Sequence, residues 1–128
     1  MIAATKLSSL RAALDERKAT TETELANLHE ELRALGGDSD DENGSVGNHL
    51  ADDGSYVQEQ DRILRVEADL TSILNQINDA FDRIDNGTYG VCARCEKPIA
   101  EERLEYLPFV AYCIDCQAFL ERQNGALS

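Results

Sequence analysis

The distribution of chain breakers constrains this 128-residue sequence more than any other feature. None of its eight glycines lies in 1–35 or 55–86, and both prolines, Pro98 and Pro108, fall in the last third. Glycine and proline are the residues that most disfavour a helix interior. Two stretches of about thirty residues are therefore free to run as unbroken helices on either side of a glycine-rich middle.

The second stretch carries the clearer period. Ile63, Val66, Leu70, Ile73, Ile77, Ala80 and Ile84 step alternately by three and four. That spacing keeps one apolar stripe facing a partner helix, and Leu64, Leu74 and Phe81 widen it. Ser55 with Gln58 reads as a capping box, and Asn86-Gly87 as a C-terminal stop. A helix over about 56–86 is expected. In the first stretch Leu7, Leu10 and Leu14 are followed by Leu25, Leu28, Leu32 and Leu35. Arg17, Thr21 and Glu24 occupy the seam between them. A polar residue at such a position sets register at some cost in stability. This helix is expected over about 6–35, ending at Gly36-Gly37. Each helix would be about 45 Å long at 1.5 Å per residue. Matched lengths predict an antiparallel coiled-coil hairpin, with two short helices in a compact bundle as the alternative.

The connecting segment, 36–55, is long for a helical hairpin. From Asp38 to Asp61 there are eight acids and no Lys or Arg, a large part of the net charge of −13. On charge alone a solvated loop is the simpler reading. A calcium loop fails: aligning Gly44 with the EF-hand glycine puts Leu50 where a bidentate Glu is required.

The charge excludes other classes. A phosphate-driven nucleic-acid binder needs a surplus of Lys and Arg, as does a binder of anionic membranes. No run of eighteen apolar residues exists, so no membrane span is expected. Met1 to Lys6 lacks the basic-then-apolar layout of a signal peptide. A cytoplasmic protein, with reduced thiols, is the expectation. Aromatics are 5% and Trp is absent, so one large core is not expected.

Cys92, Cys95, Cys113 and Cys116 are the only cysteines, spaced C-x2-C, seventeen residues, C-x2-C. Two such turns can present four thiolates to one tetrahedral zinc ion. A shell closed by four protein ligands leaves no position for water or substrate, so the expected ion is structural. Disulfides are disfavoured by the compartment. A redox C-x-x-C lacks its usual βαβ setting, and an iron–sulfur centre has no supporting motif. Pro98, Ile99, Leu104, Leu107, Pro108, Phe109 and Val110 supply a short apolar cover, and Gln117–Arg122 reads as a short terminal helix. From 87 to 128 there are four bases against six acids, unlike a DNA-reading finger. The domain reading is a hairpin over 1–86 and a zinc module over 87–128.

Residues 84–95, Ile-Asp-Asn-Gly-Thr-Tyr-Gly-Val-Cys-Ala-Arg-Cys, resemble the zinc signature of the DksA/TraR family. The likeness continues through Pro98-Ile99, Arg103-Leu104, Pro108 and Cys113-Ile114-Asp115-Cys116-Gln117. Glu96 departs from it, standing where the family usually has Gly. The resemblance implies a transcription regulator whose coiled coil enters the secondary channel of RNA polymerase, without sequence-specific DNA contact. It also implies a tip. His49-Leu50-Ala51-Asp52-Asp53-Gly54 is similar to the family's Asp-x-x-Asp-x-Ala: Asp52 falls on the second Asp, His49 replaces the first, and Gly54 replaces the Ala. Asn48–Asp52 also matches an Asn-His-x-Ala-Asp run of the wider family. His49, Asp52, Asp53 and Gly54 are thus candidate polymerase contacts. A nucleotide second messenger acts with some relatives, but its site is not assigned to residues here. His49 has no partner histidine at ligand spacing, and His29 reads as an exposed helix residue. No P-loop, G-x-S-x-G or G-x-G-x-x-G motif occurs, so no enzyme is expected. The rival reading is a zinc-stabilised coiled-coil adaptor or dimeriser, whose 63–84 seam pairs between chains.

Overall fold

The computed structural model describes residues 2–37 and 54–127. Helix α1 spans Ala4–Leu32 and opens into a π turn over Arg33–Gly37. Helix α2 spans Gly54–Asn86, α3 Glu101–Tyr106 and α4 Ile114–Leu127. The one extended pairing among the described residues is an isolated antiparallel bridge, Val91 with Pro98. The chain is mainly α, with two long helices where the breaker pattern predicts them, a four-cysteine cluster and a C-terminal helix. Boundaries move by a few residues. Gly36-Gly37 loosens the end of α1, because glycine holds helical geometry weakly. Helix α2 begins at Gly54, which brings Ser55 into its first turn.

The chain divides into two compact units, Ala19–Leu74 and the pair Met1–Lys18 with Asn75–Ser128. In the first unit the later part of α1 runs antiparallel to the early part of α2. Glu31 meets Arg62 at 3.4 Å, and further back along α1 His29 meets Glu67, further along α2. Polar contacts this exposed contribute little, so they report register more than they stabilise. Leu28 and Ile63 are both buried in this unit. Thr21, one of the polar seam residues, is 1% exposed, so the seam continues through it. Glu24 is exposed. Leu64 is 43% exposed and lies outside the buried stripe.

In the second unit Leu10, Leu14, Ile77 and Ala80 are buried, the antiparallel order holding as Arg11 reaches Asp85 at 3.7 Å. Arg11 and Lys18 flank the Phe81 ring. Arg17 breaks the leucine seam, and its guanidinium lies 5.2 Å from the Phe109 ring centroid. The seam falters there because the cysteine module supplies an aromatic face for a cation.

Helix α2 ends as its sequence directs. Gly87 has φ +84°, its N–H donates to Ile84 O, and Thr88 N–H donates to Arg83 O at 2.9 Å. This pair of reversed bonds is the Schellman closure, which needs a left-handed residue after the cap. The Arg83 side chain is half-buried and donates to Phe109 O and Val110 O at 3.4 and 3.3 Å. Tyr89 donates its hydroxyl to Pro108 O at 2.7 Å. Those three bonds hold the segment between the cysteine pairs against the end of α2. Of the expected apolar cover, Ile99, Leu104, Pro108, Phe109 and Val110 are buried and Leu107 partly so, while Pro98 is exposed. A helix inside that segment was not anticipated. It is α3, with Glu101 and Glu102 in its first turn, where negative charge is favoured.

Candidate metal centre

The first cysteine turn is held by its backbone. Cys92 N–H donates to Lys97 O at 2.8 Å, and Glu96 N–H returns to Cys92 O at 3.0 Å. The N–H groups of Arg94 and Cys95 point at Cys92 Sγ, 3.4 and 3.5 Å away. Closing this loop forces Glu96 to φ +66°, a left-handed conformation that is costly for a residue with a Cβ. The sequence marks that position as the departure from glycine, and the backbone gives the reason glycine suits it.

The second cysteine turn leads straight into α4. Cys113 precedes the helix, Cys116 lies in its first turn, and Gln117 N–H donates to Cys113 O at 2.9 Å. The terminal helix is thus longer than the expected 117–122 and begins inside the motif. A helix N-terminus favours a thiolate. Ala93 N–H donates to Ala111 O at 2.8 Å and joins the two turns.

All four sulfurs lie within 4.8 Å of one another, with Cys95 and Cys113 Sγ 3.8 Å apart. Zn–S bonds of about 2.3 Å in a tetrahedron put sulfurs about 3.8 Å apart. The donor set therefore fits one structural zinc ion. Cys92 and Cys116 are buried, while Cys95 and Cys113 are partly exposed. Burial raises the Cys92 thiol, but N–H donors from Cys95, Cys113 and Arg94 and the Cys116 thiol outweigh it and bring it to about 6. At Cys116 the Arg94 guanidinium pulls downward, while burial and the three neighbouring sulfurs push the thiol up to about 11. The close sulfurs thus push Cys92 and Cys116 in opposite directions. A divalent cation removes that conflict by binding the thiolates directly.

The sequence-predicted residues fall into two groups. Cys92, Cys95, Cys113 and Cys116 converge. His49, Asp52 and Asp53 lie outside the described residues. Gly54 is the first residue of α2, exposed, with nothing within 4 Å of the position a Cβ would take. Sequence reasoning missed Arg94, whose Nη1 donates to Cys116 Sγ at 3.4 Å. Its only signal was a cation between two ligand cysteines.

Residues 87–122 match the prokaryotic dksA/traR C4-type zinc finger. General stress protein 16O of Bacillus subtilis is 30% identical over 116 residues, 91% of this chain and 64% of that protein. The RNA polymerase-binding transcription factor DksA of Caulobacter vibrioides is 31% identical over 79 residues, 60% of this chain and 56% of that protein. The chain thus spans between about half and two thirds of the length of these relatives. In three dimensions it resembles transcription factor DksA2 from Pseudomonas aeruginosa, with a TM-score of 0.72, 22% identity and coverage of 94% of this chain and 87% of that one.

Proposed function

Because residues 87–122 match the dksA/traR C4-type zinc finger, we propose that the chain is a DksA/TraR-family transcription regulator that acts by binding RNA polymerase. The reading places the hairpin in the polymerase's secondary channel and has the chain modulate initiation without reading DNA sequence. The observation that carries it is the match of 87–122 to that finger, in a chain whose relative is named for polymerase binding. The net charge of −13 supports contact with a protein surface over contact with a phosphate backbone.

Asp52, Asp53, His49 and Gly54 are proposed as the polymerase-contacting tip. Carboxylates there suit basic residues of a channel or the surroundings of a catalytic magnesium ion. The chain is proposed to be cytoplasmic, where polymerase is found, and not to be an enzyme. A four-sulfur zinc shell has no open position for a substrate. Among the described residues no helix is long and apolar enough to cross a membrane. Ile63, Ile77 and Ala80 are covered within a single chain. That burial supports a monomer over an adaptor that pairs its seam between chains.

The test is capture on immobilised core RNA polymerase, followed by run-off transcription. The unaltered chain is expected to be retained and the chelator-treated chain lost. Asp52→Asn is expected to be retained but to lose its effect on transcript yield. Absence of capture would refute the reading, and full regulation by Asp52→Asn would refute the tip.

A further inference from the structure

Arg94 stands apart from the rest of the cysteine module. It lies between Cys92 and Cys95 in the first turn, yet its side chain crosses to the second. Nη1 donates to Cys116 Sγ at 3.4 Å, and the guanidinium carbon sits 3.9 Å from the centroid of the Phe119 ring on α4. Arg94 itself is exposed, whereas the sulfur it covers belongs to a residue 4% exposed. The side chain is thus a lid on the solvent side of a buried ligand. Arginine suits both contacts at once, because its planar fork offers N–H groups at the edge and a cationic face to a ring.

We propose that Arg94 is a positioning residue of the metal centre, which caps the Cys116 sulfur while stacked on Phe119 and so slows loss of the ion to competing ligands. Four thiolates around a divalent cation leave a formal excess of about two negative charges. A charged donor on one sulfur offsets part of that excess and occupies a lone pair that a proton or competing electrophile would otherwise take. The stack on Phe119 fixes the guanidinium, so less side-chain freedom is lost in making the bond. None of this depends on polymerase binding.

The experiment uses the full-length, zinc-loaded chain and follows transfer of zinc to a chromogenic chelator. Arg94→Ala is expected to release zinc about tenfold faster, the lower range for removing such a supporting contact. Arg94→Lys, which keeps the charge without the planar fork, should fall between the two. Phe119→Leu should accelerate release less than Arg94→Ala. A role confined to anchoring α4 would produce a different pattern, so each cysteine's labelling by N-ethylmaleimide is read by mass spectrometry. In Arg94→Ala, Cys116 should label ahead of Cys113. Release rates within twofold of the unaltered chain in both Arg94 variants would overturn the proposal. So would equal acceleration of labelling at Cys113 and Cys116, the mark of a generally loosened helix. Circular dichroism of Arg94→Lys guards against a folding defect.

Discussion

Glu96 pairs a sequence departure with a backbone cost. At φ +66° it holds a conformation that glycine adopts freely. Glu96→Gly should therefore stabilise the chain by about 1 kcal/mol, the left-handed cost less glycine's added freedom in the unfolded chain. A raised melting temperature of the zinc-loaded protein would show it, and a lowered one would mean that the carboxylate makes a compensating contact. Tyr89 gives a pH dependence. Burial lifts its phenol to about 12, against the opposing pull of the Arg83 charge. Between the ordinary value of 10 and about 12 the unfolded chain loses this proton while the folded chain keeps it. Stability must then fall as pH rises through that window. Urea unfolding at pH 9 and pH 11 should show a drop that is smaller in Tyr89→Phe. That variant should also cost about 1 kcal/mol at neutral pH, because Pro108 O loses its donor.

Among the elements, burial separates residues that the sequence pattern treats alike. Ile77 is 0% exposed and Leu64 43%. Ile77→Ala should cost about 3 kcal/mol through lost burial and the cavity left behind, whereas Leu64→Ala should stay within about 0.5 kcal/mol. Chemical denaturation of both variants checks the contrast. The long helices were legible because Ile63, Ile77 and Ala80 repeat at the helical period and Gly87 supplies the stop. Three features were less legible for physical reasons. Helix α3 is six residues long and rests on the burial of Leu104, a tertiary contact. Arg17 looked like a flaw in the leucine seam because its partner, Phe109, is remote in sequence. Arg94 was hidden for the same cause, since Cys116 and Phe119 reach it only after folding. The cysteine ligand set was readable outright, because C-x2-C spacing is a local geometric requirement.

For the molecule as a whole, metal and folding are expected to be one equilibrium. The match to the zinc finger spans only 87–122, and both of its cysteine turns converge on one centre. Chelation should lower the helical signal by the share of α3 and α4 and leave α1 and α2 partly helical, as far-ultraviolet circular dichroism can report. Acid should act in the same direction, because protons compete for the thiolates. One compact unit also joins Met1–Lys18 to Asn75–Ser128, and Lys6 pairs with Glu105 across 99 positions. During synthesis on the ribosome, Leu10 and Leu14 emerge long before the residues that bury them. This unit therefore has to wait for the residues after 74, while 19–74 can close as soon as it clears the exit tunnel. A nascent chain stalled just after residue 74 leaves the tunnel would have one unit closed, with Leu10 and Leu14 still awaiting their cover.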